Sequence, residues 1–165
     1  MTVVAGQRAD QDFLVVVAPV TGHIMAMAQV PDPVFAGSMV GPGLAVDPSK
    51  VAQGPVVAVA PVSGTVVKLH PHAFVVQTAD GVGVLTHLGI DTVQLDGEGF
   101  TVKVGEGDAV SAGDPLVEWH PAAVVASGRS AVVPVVALEA LPDAVAAIRD
   151  NGTVDAGSPL FTWQR

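Results

Sequence analysis

The chain has 165 residues, half of them hydrophobic, and a formal net charge of −9 at pH 7. A chain this acidic, with only seven lysines and arginines, is repelled by phosphate backbones, so a nucleic-acid partner is excluded. The absence of cysteine excludes disulfides, thiolate zinc sites and cysteine nucleophiles.

Strand signals dominate the chain from residue 13 onward, because runs rich in valine alternate with Gly, Pro and Asp turns. The predicted strands, in chain order, are Phe13–Val17, Val56–Ala60, Thr65–Leu69, Ala73–Thr78, Val82–Thr86, Phe100–Val102, Pro115–Trp119 and Leu160–Gln164. Two short stretches with an early proline, Pro121–Ala126 and Pro142–Arg149, favour helix. We therefore predict an all-β fold, an antiparallel sandwich or barrel-like structure with one or two short helices.

Two segments of the chain recur later in it. Val17–Gly22 returns as Val59–Gly64, and Ala109–Trp119 returns as Thr153–Trp163, with Gly and Pro at matching points. These residues set turns, so the local backbone should match as well. Two copies are too few for a solenoid, and they indicate a sheet of two related halves. No linker breaks the composition, so we expect a flexible segment over residues 1–12 and a single domain over residues 13–165.

The apolar runs of the chain are too short to span a bilayer, and its start carries no secretory signal pattern. We therefore expect a cytoplasmic protein without direct membrane insertion. An acidic chain also attracts basic partners at long range, which favours proteins with a basic surface as its partners.

Three of the five histidines lie between residues 70 and 87. His72 and His87 flank two apolar runs joined by the turn Ala79-Asp80-Gly81, and adjacent antiparallel strands would bring their imidazoles together. Paired neutral imidazoles suit metal binding, or a nucleophile with an electrostatic partner. His70 and His72 also have the H-x-H spacing that can bind zinc with a third ligand. The residues by themselves leave these alternatives open.

Gly89 follows His87 by two residues. A glycine permits an unusual turn, and its carbonyl oxygen can accept a hydrogen bond from one ring nitrogen of the histidine. The other nitrogen would then be free as a nucleophile, so we expect Gly89 to orient His87. The glycine-rich turns at residues 97–99 and 105–108 carry acids where a phosphate cradle needs lysine or open amides, which excludes a nucleotide-binding loop.

The run from His87 to Val93, HLGIDTV, closely resembles the glucose-type enzyme IIA of the bacterial phosphoenolpyruvate-dependent sugar phosphotransferase system. The resemblance extends over roughly residues 13–163, and it implies a β-sandwich of antiparallel strands. Further matching segments are Ala18–Gly22, Val30–Phe35, Val40–Gly43, Ala60–Gly64 and Gly113–Pro115.

The resemblance implies a phosphoryl relay. His87 would accept a phosphoryl group from the phosphohistidine of a small carrier protein and pass it to a cysteine of the enzyme IIB domain of a sugar permease, of glucose or N-acetylglucosamine type. His72 would stabilise the phosphoryl group, with no cofactor and no metal required. Since the chain has neither cysteine nor a spanning segment, we expect a free-standing phosphotransferase component.

The resemblance also implies a docking surface made of an apolar patch and of acids that meet arginines of a partner, and it allows regulatory targets. The residues concerned are Phe35, Met39, Val40 and Phe74 for the patch, and Asp32 and Asp91 for the acids. The approach to His72, Leu69-His70-Pro71, departs from the usual family pattern. Two alternatives remain, a zinc-dependent β-sandwich hydrolase that uses the H-x-H pair with His87, and a purely regulatory binding module.

Overall fold

The computed structural model describes residues 13–149 and 151–164, and the flexible segment predicted over residues 1–12 lies outside them. The strands are β1 (Phe13–Val17), β2 (Gly22–Ala26), β3 (Gly43–Asp47), β4 (Val56–Val59), β5 (Gly64–His70), β6 (Ala73–Gln77), β7 (Gly83–His87), β8 (Thr101–Val102), β9 (Ala109–Val110), β10 (Pro115–Trp119), β11 (Val133–Ala137), β12 (Val145–Ala147), β13 (Thr153–Val154) and β14 (Pro159–Gln164). The helices are α1 (Pro33–Ala36) and α2 (Pro121–Ala126), with single 3₁₀ turns at Met27–Gln29, Thr92–Leu95 and Pro142–Ala144.

Antiparallel pairing joins these strands into three sheets. The largest has eight strands in the order β13-β2-β3-β11-β7-β6-β5-β9, and two three-stranded sheets have the orders β1-β14-β12 and β4-β10-β8. The all-β, antiparallel prediction is therefore confirmed. None of the helices in the described part of the chain has the length and hydrophobicity that a bilayer crossing needs.

Alternation along the strands divides the side chains between two apolar clusters. The larger one fills the space between the sheets and contains the fully buried Trp119, Phe74 and Phe161. The second cluster, around Phe35 and Ile90, is made from the other side of the eight-stranded sheet and the segments that cover it. Successive residues of a strand point to opposite faces, so a residue's parity decides which cluster it enters.

The first predicted repeat forms a reciprocal pair of turns. The N–H of Val17 donates to the carbonyl oxygen of Pro61, and the N–H of Val59 donates to that of Pro19, both at 2.9 Å. Each turn leads from one strand into the glycine that opens the next, Gly22 or Gly64. Equal sequence thus produces equivalent main-chain hydrogen bonds, as expected for two related halves.

The second repeat docks on the first in the same symmetrical way. The N–H of Ala112 donates to the Ser63 hydroxyl at 2.9 Å, and the N–H of Ala156 donates to the Thr21 hydroxyl at 3.0 Å. Thr21 and Ser63, which precede the last glycine of each copy of the first repeat, therefore accept equivalent hydrogen bonds. Two halves of the chain share one arrangement of strands and turns.

One secondary-structure prediction is wrong, and several strands were missed. Over Pro142–Arg149 a single 3₁₀ turn is followed by β12, because Val145 and its neighbours pair with β14, opposite Trp163. Ladder hydrogen bonds to a buried strand outweigh the local preference of a short alanine-containing segment. β2, β3, β9, β11 and β13 were not predicted. β11 contains Pro134, which pairs only with β3, because pairing with β7 begins one residue later.

Candidate functional site

The two predicted histidines lie together at one end of the eight-stranded sheet. His87 is the last residue of β7 and is paired with Ala73, the first residue of β6. His72 lies in the two-residue turn that joins β5 to β6. Their rings are 5.1 Å apart between centroids and meet edge to face at 69°. The structure thus brings together the pair that the sequence singled out.

Main-chain contacts fix the turn that carries His72. The N–H of Leu88 donates a 2.7 Å hydrogen bond to the carbonyl oxygen of His72. Pro71 supplies the restricted φ that suits the first position of such a turn. Gly97 packs against it, since a β-carbon at Gly97 would lie 3.3 Å from the Pro71 ring. Main-chain contacts, rather than contacts of the imidazole, therefore fix the position of the His72 backbone.

Gly89 holds the ring of His87. The Nδ1 atom of His87 lies 2.6 Å from the Gly89 carbonyl oxygen, which is an acceptor, so Nδ1 carries the hydrogen and donates it. The Nε2 atom keeps its lone pair. Gly89 has φ +82°, and a β-carbon there would lie 2.6 Å from the Thr92 methyl and 3.0 Å from the Ser130 carbonyl oxygen. Only glycine fits this turn without strain.

The pKa values of both imidazoles are lowered, which favours their neutral forms near pH 7. Burial lowers the pKa of His87 from its ordinary 6.5, although the Gly89 hydrogen bond and the charges of Asp32 and Asp91 act in the opposite direction. The pKa of His72 is lowered to about 4, first by burial and then by repulsion from His87 and His70. Each charged form would have to leave water, and that of His72 would also face the imidazoles of His87 and His70, which favours the neutral forms.

The short helix α1 covers His87. Asp32 caps the helix, because its Oδ1 accepts hydrogen bonds from the N–H groups of Val34 at 2.9 Å and Phe35 at 3.4 Å. Phe35 is 8% exposed and its ring lies 5.4 Å from that of His87. The cap thus places a carboxylate and an aromatic ring beside the same histidine. With so little surface, Phe35 packs chiefly against His87, and its docking role stays a prediction.

The other predicted docking residues differ in exposure. Met39 is 74% exposed, and Val40 is half-buried against the cluster that contains Phe35. Phe74 is 1% exposed and belongs to the central core, so it offers almost no surface for the predicted docking. It follows Ala73 on β6, and because Ala73 shares the face of His87, Phe74 points into the sandwich.

Asp91 is exposed and has a left-handed backbone, with φ 60°. It is the residue before the 3₁₀ turn Thr92–Leu95, where the Thr92 hydroxyl donates to the Leu88 carbonyl oxygen at 2.7 Å. This turn packs the HLGIDTV run tightly around the site. Asp91 therefore places its charge close enough to influence the pKa of His87 while remaining open to solvent.

His70 also lies in this site, and the sequence had linked it both to the zinc alternative and to the departure from the family pattern before His72. Its ring stacks on that of His72 at 5.6 Å and 26°. The described residues contain no group of three or more His, Cys, Asp or Glu placed to hold a metal ion, so the geometry does not support the zinc alternative. The H-P-H sequence places His70 and His72 next to each other at this end of the sheet.

The site can act as a nucleophile with a hydrogen-bonding neighbour. His87 offers a lone pair on Nε2 with its proton fixed on the far side of the ring, and neutral His72 can donate a ring N–H to a group held there. The half-buried setting suits a group that another protein brings to the surface.

Comparison with known proteins gives a consistent result. The family described as "phosphoenolpyruvate-dependent sugar phosphotransferase system, EIIA 1" matches residues 14–141. The glucose-specific EIIA component of Bacillus cereus is 38% identical over 133 residues, 79% of this chain and 76% of that protein. The N-acetylglucosamine-specific EIICBA component of Klebsiella pneumoniae is 41% identical over 148 residues, 88% of this chain but 22% of that protein. The glucose permease IIA of Mycoplasma capricolum superposes with a TM-score of 0.78 at 35% identity, covering 91% of this chain and 95% of that one.

Proposed function

The chain belongs to the EIIA 1 family of the phosphoenolpyruvate-dependent sugar phosphotransferase system, and we propose that His87 is its phosphoryl-carrying residue. Membership assigns a role in sugar phosphotransfer. The observation that carries the finer proposal is the 2.6 Å contact of His87 Nδ1 with the Gly89 carbonyl oxygen, which leaves Nε2 as the nucleophile.

In the accepting step, the Nε2 lone pair attacks the phosphorus of a phosphohistidine on the carrier protein. The new bond joins Nε2 to phosphorus, and the donor nitrogen takes back the electron pair of the bond that breaks. The ring of His87 becomes a phosphoimidazolium that still bears its Nδ1 proton, and the Gly89 carbonyl oxygen faces the developing positive charge. Such transfers depend on in-line geometry and charge stabilisation.

In the donating step, a thiolate of the enzyme IIB domain attacks the phosphorus. The Nε2–phosphorus bond breaks and returns its electrons to the ring, so His87 leaves as the neutral tautomer without any proton transfer. His72, next to the reacting atom, donates a hydrogen bond to the phosphoryl oxygens. The sugar served is glucose or N-acetylglucosamine, the two sugars named for the relatives.

Docking in this proposal uses the exposed Met39 beside Val40, with Asp32 and Asp91 as acids for arginines of the partner. Oppositely charged partners associate faster, and salt screens the effect. A regulatory role, in which other proteins read the phosphorylation state of His87, is compatible with the same surface and with the same acids.

The relay is tested by incubating the protein with phosphoenolpyruvate, enzyme I and the carrier protein. One acid-labile phosphate per chain is expected, and His87→Gln should carry none. His120→Gln is the matched control, since His120 lies at the start of α2 beside Phe100 and Ala123, in a separate hollow. Full labelling of His87→Gln, with the folded state verified by circular dichroism, would overturn the assignment.

A further inference from the structure

We propose that His70 is a positioning residue for phosphoryl transfer, whose ring stacks on His72 and holds that imidazole towards His87. This inference rests on the proposed function of the His72–His87 pair. His70 lies at the end of β5, two residues before His72, and it is exposed to solvent. Three features of the His70, His72 and His87 rings at this end of the sheet support this role.

The first observation is the order of the rings. The centroid of the His72 ring lies 5.6 Å from that of His70, with the two ring planes at 26°. It lies 5.1 Å from the centroid of the His87 ring, with the planes at 69°. His72 therefore has an aromatic neighbour on each side. An offset or edge-to-face arrangement of aromatic rings is favourable beyond the area that it buries.

The second observation is that strand register creates this row. His70 pairs with Ala73 across β5 and β6, and Ala73 pairs with His87 across β6 and β7. Directly opposed residues share a face, so His70 and His87 flank the small side chain of Ala73. The turn residue His72 contacts both flanking rings, and a larger side chain at residue 73 would compete for that space.

The third observation is the difference between the two site histidines in how their rings are fixed. A hydrogen bond to Gly89 orients the His87 ring. Within the described residues the structure gives no hydrogen bond to the His72 ring, and only the His72 carbonyl is anchored, by Leu88. The outer aromatic, His70, is therefore what limits rotation of the His72 side chain on its open side.

The electrostatics of His70 support the same role. Repulsion from His70 is one of the three causes that lower the pKa of His72, after burial and repulsion from His87. A neutral His72 has one N–H donor and one acceptor nitrogen, so its orientation matters for which of them faces the phosphoryl group. The charged form would have an N–H donor at both nitrogens. Because His70 disfavours that form, the orientation of the His72 ring decides whether its single N–H faces the phosphoryl group.

Two substitutions separate the stacking of His70 from its charge. His70→Ala removes the ring, whereas His70→Phe keeps an aromatic plane and removes the titratable group. His70 is exposed, so neither substitution threatens the core. Lys68→Ala is the matched control, because Lys68 lies two residues earlier on β5, beside the same hollow as His70, and is not among the causes of the His72 pKa shift.

The measurement on the unphosphorylated protein is the ring ¹⁵N spectrum of His72, which needs no partner and decides the inference even if the relay fails its own test. We expect a single ordered tautomer in the wild type, His70→Phe and Lys68→Ala. In His70→Ala we expect averaged ring nitrogens and a raised pKa of His72. A His72 spectrum in His70→Ala identical to wild type would overturn the proposal.

The kinetic measurement is transfer from phosphorylated protein to an enzyme IIB domain. We expect His70→Ala to pass the phosphoryl group about 2- to 10-fold more slowly, the range that an aromatic pair supplies, while still accepting it. His70→Phe should restore at least half of the wild-type rate. Equal losses in His70→Ala and His70→Phe, or none in either, would contradict positioning by stacking.

Discussion

The N–H of Leu88 donates a 2.7 Å hydrogen bond to the carbonyl oxygen of His72. This bond ties the residue that follows the proposed phosphoryl acceptor to the turn that carries its partner. Because the link is between main-chain groups, replacing either imidazole leaves the backbone of the site in place. Side-chain substitutions at His72 and His87 therefore report on chemistry more than on folding.

The first prediction concerns His72. His72→Gln should accept the phosphoryl group on His87 but donate it about 100-fold more slowly, because a preorganised donor to the phosphoryl oxygens is lost. Rapid-quench measurement of transfer to the IIB domain gives the rate, with His120→Gln as control. Wild-type donation by His72→Gln would remove the stabilising role from this histidine and leave His87 acting alone.

The second prediction concerns Gly89. Gly89→Ala should destabilise the protein by about 1–2 kcal/mol for the left-handed backbone, with a further cost of about 1–3 kcal/mol for the clash with Thr92 and Ser130. It should also lower phosphorylation, since the carbonyl that fixes His87 Nδ1 moves.

Gly113→Ala is the matched control for Gly89→Ala. Gly113 has φ +92°, and a β-carbon there would have no neighbour within 4 Å, so only the backbone cost should appear. Urea unfolding of both variants measures the free energies of unfolding. If the two variants lose equal stability and Gly89→Ala is phosphorylated normally, the tight packing around Gly89 has no bearing on the site.

The third prediction concerns pH. His72 has a pKa of about 4 in the folded protein and an ordinary value of 6.5. Between these values the unfolded chain binds more protons at this residue, so stability falls as pH falls from about 6.5 towards 4. His87 acts in the same direction, since its folded pKa is also lowered.

Comparison with His72→Gln isolates this effect. Urea midpoints at about pH 7 and about pH 5, above the ordinary range of carboxylates, should fall more for the wild type than for the variant. Because His72 is only half-buried, solvent screens part of the shift and the difference is modest. A drop of equal size in both proteins would mean that His72 protonates as easily in the folded state as in the unfolded chain.

The fourth prediction contrasts Phe74 with Met39. Phe74→Ala should destabilise the fold by about 3–5 kcal/mol, because it empties a fully buried core position. Met39→Ser should change the free energy of unfolding by about 0.5 kcal/mol or less, yet weaken association with a partner. Thermal unfolding together with titration of the carrier protein checks both. A stable Phe74→Ala with weakened docking would restore Phe74 to the surface patch.

The all-β architecture was predictable, since valine-rich runs and Gly/Pro turns encode strands and their connections locally. The repeated turns were predictable for the same reason, and Thr21 and Ser63 indeed accept equivalent hydrogen bonds. The helix prediction over Pro142–Arg149 was wrong because part of this segment pairs with β14, a strand outside it. No pattern within the segment indicates its pairing partner.

For the site, the sequence by itself determined the local arrangement within the HLGIDTV run, in which a histidine, an orienting glycine and an acid follow at fixed spacing. These relations are local, so the chain between His87 and Asp91 sets them. Tertiary structure alone decided the rest. Strand register added His70 to the His72–His87 pair that the hairpin pattern had already predicted, and the parity of β6 turned Phe74 into the core. Register and face depend on long-range pairing, because a shift of one residue exchanges the two faces of a strand.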